Sequence, residues 1–403
     1  MPPRALITIL LLTACGGAAE SPAFATRDSA GITIAENRTE AVSATCRLDA
    51  DPVVRIGGSD APEDQFLYRV MGASRLSDGR IAVVNQGTQE VRWYDSTGTL
   101  VGRAGREGSG PGEFKSAFLM VRLTGDTLWV GDSPPWQWHI FGPEMTFVRT
   151  VMLDPPEPND PRLSAIMDTG EQLYGYSIDR PRGNWTMDSV AIRRHAPDGT
   201  LVDTVMTIPN GRWGQTVEDP SAIWLQPWFE PWAHFDGVGS RVAVSTLGAS
   251  ELRIYAVGTR VTPTRVVRWT TGDRQVTDAA VAAARERITA RYASRYPGWS
   301  PEMKATFLDP QISSKRPVAD VYPAVTGLVM GRDGRIWVRE YAEEGADTRR
   351  WLAFSAEGRA LCHAEFPAVE VAEIGSDYLL AKTTDALDAE QVVLYRLRGE
   401  GSE

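Results

Sequence analysis

The chain has 403 residues and a formal net charge of −10, with 42% hydrophobic and 23% charged residues. This acidic, well-solvated composition argues against nonspecific binding to nucleic-acid phosphates, so no nucleic-acid partner is expected. The length exceeds one typical domain, yet a closed repeat fold can reach it as a single unit. The 37 glycines and 26 prolines suit many short strands joined by turns.

The first residues have the features of an export signal. Arg4 supplies a positive charge, Ala5 to Leu12 is a short apolar run, and Thr13-Ala14-Cys15 follows directly. Eight apolar residues are too few to span a bilayer. The sequence therefore predicts a signal peptide over residues 1–14 and a location outside the cytoplasm.

The Leu-Thr-Ala-Cys ending of this segment resembles the lipobox of bacterial lipoproteins. The resemblance implies cleavage before Cys15, lipidation of Cys15, and a cell-envelope protein that faces the periplasm or the exterior. Ordinary cleavage among Ala14 to Ala19 is the alternative. Residues 15–30 are small and polar, and we expect a flexible tether there that leaves the lipid as the sole membrane contact.

Two further cysteines, Cys46 and Cys362, remain in the exported part of the chain. An even number of cysteines outside the cytoplasm favours a disulfide. Such a bond would hold the two ends of a ring together. Two separate, partly buried thiols are the alternative.

The stretch from Leu76 to Phe114 predicts one repeat unit. Tight turns at Ser77–Arg80 and Asp95–Gly98 separate short apolar runs. With the apolar run Tyr68–Leu76 before the first turn, they give four antiparallel strands in about 40 residues, the period of a propeller blade. Weaker copies follow along the chain, with first strands predicted at Phe118, Leu163, Trp232, Val325 and Val369.

The last copy stops one strand short, at Leu397. Val53 to Gly57 has the pattern of the missing outer strand, and pairing there would satisfy an open sheet edge. Ile32–Ala35 and Ala44–Leu48 are predicted to add edge strands at the same place. The predicted fold is an all-β, six-bladed β-propeller over residues 31–399, closed by residues 53–57 and followed by a short tail at 400–403.

Asp-Gly before one strand and Tyr-Asp-x-x-Gly after another resemble the six-bladed propellers of the NHL-like group, over roughly residues 50–398. Pro134 and Pro135 depart from the pattern. Propellers of this kind include protein-binding modules, sugar-lactone hydrolases and peptidyl-hydroxyglycine lyases, so the resemblance implies a fold and leaves the function open.

Two long connections are predicted to lie on one face of the ring. The first, Pro209 to Pro231, is rich in aromatic rings, which suit sugars, peptides or lipid tails but also pin long loops to a sheet. Its candidate ligand-binding residues, with one just beyond it, are Trp213, Trp224, Trp228, Phe229 and Trp232.

The second connection, residues 270–322 between the fourth and fifth repeats, contains a predicted helix from Thr277 to Tyr296 and a short one from Ser300, which together could cover the channel. Val281, Ala284 and Ile288 share one apolar stripe. Arginines on the other faces, Arg285 and Arg291 among them, are candidates for an anionic ligand or form a solvated surface.

Catalytic and metal motifs are weak. His139, His195, His234 and His363 have no metal-ligand spacing. His234 is a candidate ligand contact because it adjoins the aromatic connection; a buried structural histidine is the alternative. No cofactor is predicted, although Glu230, Asp236 and Asp320 could converge on a calcium ion.

The favoured interpretation is a membrane-tethered binding or scaffold propeller that recognises a protein, peptide or glycan on its insertion-bearing face. The alternative is a metal-dependent enzyme of the lactonase or lyase type. A cluster of His, Asp and Glu at the axis would distinguish the second from the first.

Overall fold

A computed structural model describes residues 22–134, 136–154, 162–177, 185–218, 222–258 and 260–399. The predicted signal peptide, Cys15 and residues 400–403 lie outside these ranges. Hydrogen bonds sort the described strands into five sheets of four, four, four, six and nine strands.

The chain begins with four short strands, of which the second, third and fourth join sheets built mainly by residues far along the chain. They are β1 (Phe24–Ser29), β2 (Ile32–Asn37), β3 (Thr45–Leu48) and β4 (Val54–Gly57). The expectation of a flexible tether up to residue 30 is wrong from Phe24 onward. Ala30 and Gly31 both have positive φ, 54° and 80°, which lets β1 fold back on β2 in a two-residue hairpin.

Three antiparallel meanders follow, in each of which four consecutive strands pair in sequence order. The first is β5 (Val70–Arg75), β6 (Ile81–Asn85), β7 (Glu90–Tyr94) and β8 (Leu100–Ala104). The second is β9 (Ala117–Arg122), β10 (Leu128–Asp132), β11 (Gln137–Phe141) and β12 (Phe147–Met152). The third is β13 (Arg162–Ile166), β14 (Gln172–Ser177), β15 (Thr186–His195) and β16 (Leu201–Trp213).

Strand β16 is longer than the sequence predicted. It pairs with β15 as far as Trp213, opposite Thr186. The first residues of the predicted aromatic connection, from Pro209 to Trp213, are therefore strand, because cross-strand hydrogen bonds continue past Ile208.

The six-stranded sheet contains a fourth meander, which two N-terminal strands extend. It consists of β17 (Phe235–Val238), β18 (Arg241–Ser245), β19 (Glu251–Val257) and β20 (Val261–Trp269). β2 pairs with β20 in parallel, with Ala35 opposite Val267. The prediction that Ile32–Ala35 lies beside the last repeat is therefore wrong.

Three helices connect β20 to the next strand: α1 (Asp278–Arg295), α2 (Pro301–Phe307) and α3 (Asp309–Ile312). Thr277 and Ser300 cap α1 and α2, since their side chains accept hydrogen bonds from the amides of Ala280 and Met303. The predicted stripe of Val281, Ala284 and Ile288 is buried, and it packs in one cluster with Trp228 and Leu308. The first helix thus lies within one residue, at each end, of its predicted bounds.

The nine-stranded sheet contains two antiparallel units. The first is β21 (Gly327–Met330), β22 (Ile336–Arg339), β23 (Thr348–Phe354) and β24 (Ala360–Pro367), and the second is β25 (Glu370–Ile374), β26 (Tyr378–Thr384) and β27 (Glu390–Arg398). β4 pairs with β27, with Val54 opposite Leu394, as the sequence predicted for this segment. β3 pairs with both β24 and β27 and so joins the two units.

A disulfide links Cys46 on β3 to Cys362 on β24, with a Cα separation of 5.6 Å across 316 residues of sequence. Both cysteines are buried in a cluster that also contains Trp337 and Phe366. The N-terminal segment is thus held to a late strand by a covalent bond and by hydrogen bonds.

The first strands of these units contact one another. β5 contacts β9 and β25, and β17 contacts β13 and β21. Apolar side chains fill the space between neighbouring sheets; one such cluster contains Val83, Leu380 and Val392 from two different sheets. This arrangement leaves a central cavity that the first strands surround.

Candidate functional site

The central cavity has a volume of about 630 Å³. It is lined by residues near the C-terminal ends of the first strands and by the hairpin turns that follow, such as Thr124–Asp126 and Gly239–Arg241. It therefore lies at the end of the strands opposite to the long connections, which enter the first strands at their N-terminal ends. Its charged lining residues are Arg122, Asp126, Asp168, Asp236, Arg241, Arg332 and Glu373.

Glu373 on β25 is the centre of a buried network in this cavity. Ser74 Oγ and Tyr378 Oη donate hydrogen bonds to its carboxylate. Nη2 of Arg122 lies 3.7 Å from this carboxylate, and Nε of Arg332 lies 3.5 Å from it. Burial and the negative charge of Glu373 raise the pKa of Tyr378. Because the partners come from different units of the fold, this network links those units around the cavity.

Arg122 makes a second ion pair in the same network. Its Nη1 lies 2.7 Å from Asp126. Asp126 in turn accepts hydrogen bonds from the amide and hydroxyl of Ser77, in the first turn of the neighbouring meander. These hydrogen bonds and the ion pair keep the pKa of Asp126 low despite its burial. The arginine is therefore held rigidly between two carboxylates.

Asp236 on β17 is the acidic residue of the cavity whose pKa is raised. It accepts hydrogen bonds from the amides of Met330, at 2.7 Å, and Gly237, at 2.8 Å. Burial nevertheless raises its pKa to about 6, against the opposing effect of the Arg332 charge. Its surface is still reachable from the cavity, so this carboxyl group can exchange protons near neutral pH.

His234, which precedes β17, has the opposite perturbation. Burial and repulsion by Arg339 lower its pKa to about 4. Its amide donates a hydrogen bond to Ser245 Oγ at 2.8 Å. The imidazole is therefore neutral at physiological pH, and it is not among the residues that line the central cavity.

The aromatic connection is partly structural. Trp228 is buried against α1, and the Arg316 guanidinium lies 4.1 Å from the centre of its ring. Burial lowers the pKa of Arg316 to about 10. Trp213 and Trp232 make an edge-to-face pair at 5.6 Å, and Trp224 is half-buried. Trp228 thus holds the helices against the aromatic connection, which is the structural alternative for this residue.

A groove on the insertion-bearing side is formed by two adjoining cavities of about 830 Å³ and 250 Å³. We call it the insertion groove. Both cavities are lined by Thr271, Gly272, Glu340 and Arg350. The larger is also lined by Thr39, Thr45, Thr270, Trp351, His363 and Glu365, and the smaller by Asp273, Arg274, Tyr322 and Tyr341.

Two tyrosines form the aromatic wall of this groove. Tyr322 and Tyr341 stack at 4.2 Å, and Phe229 packs edge-on against both, at 5.0 Å and 6.0 Å. Burial, together with the neighbouring Tyr322, raises the pKa of Tyr341 to about 12. Arg274 donates hydrogen bonds to the carbonyls of Tyr322 and Gly248, which fixes this end of the insertion.

The other predicted site residues are separated. Arg291 pairs with Glu344 at 2.8 Å, and Arg285 is half-buried on α1. Glu230 is held by Arg212 at 2.7 Å and does not line the central cavity with Asp236. Of the aromatic candidates, Phe229 alone contacts the wall of the insertion groove through a ring pair that the structure records. The sequence did not single out Tyr322, Tyr341, Glu340 or Arg350.

Within the ranges that the structure describes, no three His, Cys, Asp or Glu side chains are placed to hold a metal ion. The metal centre implied for the lactonase or lyase alternative therefore has no donor set among these residues. Over the same ranges, no helix is long and apolar enough to cross a bilayer.

No protein-family model and no curated protein matches the chain. Solved structures do match in fold, and they are propeller-type proteins. A protein of Bacteroides fragilis, named as exported, is 11% identical, with coverage of 90% of this chain and 98% of that one and a TM-score of 0.47. A gluconolactonase of Xanthomonas campestris is 10% identical, with coverage of 88% and 97% and a TM-score of 0.40. Virginiamycin B lyase of Staphylococcus aureus is 10% identical, with coverage of 81% and 80% and a TM-score of 0.35.

Proposed function

We propose that the chain is an exported six-bladed β-propeller, held at a membrane by lipid on Cys15, that binds a glycan in the insertion groove. The six blades are the four meanders and the two units of the nine-stranded sheet, with β4 as the outer strand of the last blade. The contacts among first strands and the pairing of β4 with β27 support this count.

The chemistry of the groove is the observation that carries the glycan proposal. Sugars are bound by several convergent hydrogen-bonding groups together with an aromatic surface. The larger cavity is lined by threonine hydroxyl groups, carboxylates, the Arg350 guanidinium and the His363 imidazole, and the smaller adds the Tyr322–Tyr341 stack as the aromatic surface. Of the three ligand classes that the sequence suggested, a glycan matches this hydroxyl-rich lining best.

The position of the groove also suits binding. It lies between the start of the helical insertion and the loop after β22, where long connections can vary without disturbing the sheets. Arg350 is 71% exposed and lies 3.5 Å from Glu340, so it can leave this weak pair to bind a ligand. A metal-dependent enzyme is not proposed, because no observation on the described residues favours it.

Calorimetric titration of the purified chain with a panel of neutral and acidic oligosaccharides tests the proposal. We expect saturable binding that Arg350→Ala weakens at least tenfold. Arg55→Ala is the matched control, because this arginine is 53% exposed on β4 and does not line the groove. Equal binding by both variants, or binding of peptides but of no oligosaccharide, would contradict the glycan assignment.

Lipidation is tested separately by mass spectrometry of the mature chain from membranes. We expect a lipid-modified N-terminal cysteine that Cys15→Ser abolishes. A mature chain that begins after Cys15 would refute the membrane tether and leave the glycan proposal standing.

A further inference from the structure

The helical insertion carries an aromatic surface that its own packing leaves partly uncovered. We call it the aromatic ledge, and it consists of Tyr292, Tyr296, Trp299, Met303 and Phe307. Tyr296 and Trp299 stack at 4.4 Å, and the Trp299 and Phe307 rings are 5.6 Å apart. Met303 is 40% exposed and Phe307 is 36% exposed.

The charge around this ledge differs from that of the whole chain. The protein has a net charge of −10, whereas residues 285–304 contain five basic and two acidic side chains. Arg291 is paired with Glu344, but the pair is more than half exposed on both sides and is therefore weak. Aromatic rings beside basic side chains are the composition of segments that lie at an anionic lipid surface.

The N-terminal end of the described chain lies where this insertion begins. The carbonyl of Ala23 accepts a hydrogen bond from the Arg38 amide at 2.9 Å, and the carbonyl of Asn37 accepts one from the Thr270 amide at 3.0 Å. Thr270 is the first residue after β20, where the chain leaves the sheet for the insertion. A tether attached at Pro22 therefore starts from the insertion-bearing side.

The length of that tether limits the distance to the membrane. Seven residues carry the chain from Cys15 to Pro22, and even a fully extended segment of this length spans at most about 25 Å. If Cys15 carries lipid, the insertion-bearing side cannot move farther than this from the headgroups.

We propose that the aromatic ledge docks on the anionic lipid surface that holds the chain's own anchor. This inference rests on the lipidation of Cys15 in the proposed function and adds a second membrane contact to it. Met303 and Phe307 enter the headgroup region, and the basic side chains of α1 and α2 face anionic phosphates. The central cavity and its hairpin turns then point away from the membrane.

Energy transfer to labelled lipid tests the orientation. The lipidated full chain is reconstituted in vesicles of phosphatidylethanolamine and phosphatidylglycerol that contain an acceptor lipid. A donor dye is placed on Met303→Cys or, as the control, on Ser96→Cys, an exposed turn residue between β7 and β8 at the opposite end of the strands. We expect transfer from position 303 to exceed transfer from position 96 several-fold, and equal or reversed transfer overturns the docking.

Two further measurements separate the ledge from the anchor. Trp299→Ala with Phe307→Ala should lower transfer from position 303 while lipid stays attached, whereas Met152→Ala, which removes an exposed apolar side chain on β12, should not. Replacing phosphatidylglycerol by phosphatidylcholine should weaken the transfer from position 303. Unchanged transfer after both changes overturns the ledge while the tether stands, and a Cys15 without lipid overturns both. None of these results depends on glycan binding.

Discussion

Replacing Asp236 by asparagine should change how the stability of the protein depends on pH. The folded protein holds the pKa of this carboxyl at about 6, against an ordinary value of 3.8. A raised pKa means that the folded state binds the proton more tightly than the unfolded state does. The stabilisation by Asp236 is therefore complete below pH 3.8 and is lost as the pH rises through 6.

The size of the effect follows from these two pKa values. Each tenfold change in proton affinity is worth about 1.4 kcal/mol, so ionised Asp236 costs the folded state up to about 3 kcal/mol at pH 7. At pH 4.5 the folded carboxyl is mostly protonated and the cost is about 1 kcal/mol. The Asp236→Asn protein, which lacks this titration, should gain about 2 kcal/mol relative to the wild type between pH 4.5 and pH 7.

Urea denaturation followed by tryptophan fluorescence at several pH values measures this difference. His234, whose lowered pKa gives a stability that falls with acid between pH 6.5 and about 4, is present in both proteins and cancels. Thr124→Ala alters the lining of the same cavity without a titratable group and is the control. Parallel stability curves for wild type and Asp236→Asn, or a gain toward low pH, would refute the reasoning.

Glu373→Ala removes the shared partner of two arginines and should cost about 3–5 kcal/mol in the free energy of unfolding, whereas exposed Glu370→Ala should stay within about 0.5 kcal/mol of the wild type. Replacing both Cys46 and Cys362 by alanine should lower the free energy of unfolding by about 2–5 kcal/mol. Dithiothreitol should lower the denaturation midpoint of the wild type and leave that of the double variant unchanged. Thr277→Ala removes the α1 cap and should cost about 1 kcal/mol, seen as faster amide exchange in the first turn of α1; unchanged exchange would show that the cap contributes nothing.

The parts of the fold that local chemistry determines could be predicted from the sequence. Turns that contain Asp and Gly mark two hairpins of the first meander, and Gly79 and Gly98 in these turns have the positive φ that they need. β4 was found because its pattern matches a missing strand. The capped helix α1 follows from Thr277 and its apolar stripe.

β1 and β2 could not be placed in the same way. Residues 24–29 are almost all exposed and lack an alternating apolar pattern, so they look like a linker. β2 pairs with β20, about 230 residues away, and no local rule selects that partner. The first strand of the fourth meander was also misplaced. The sequence predicted that it begins at Trp232, whereas β17 begins three residues later, at Phe235.

The candidate site was harder to predict than the fold, because tertiary structure alone brings its residues together. Tyr322 and Tyr341 stack although 18 residues, which include the two strands β21 and β22, separate them. Both rings also contact Phe229, which lies in the aromatic connection nearly 100 residues earlier. The pKa of Asp236 comes from burial among strands of different units, which its neighbours in sequence do not reveal. The aromatic composition drew attention to the tryptophans of the connection Pro209–Pro231, and the structure packs one of them, Trp228, against α1.

The pairing of the N-terminal strands has a consequence for the order of folding along the chain. β2, β3 and β4 find their partners on β20, β24 and β27, so the residues that are synthesised first must wait for those that are synthesised last. Early meanders can form behind them, because their contacts are local. Until β27 arrives, β4 and the neighbouring edges expose unpaired backbone groups, and this interval is when the chain is most vulnerable to aggregation and proteolysis.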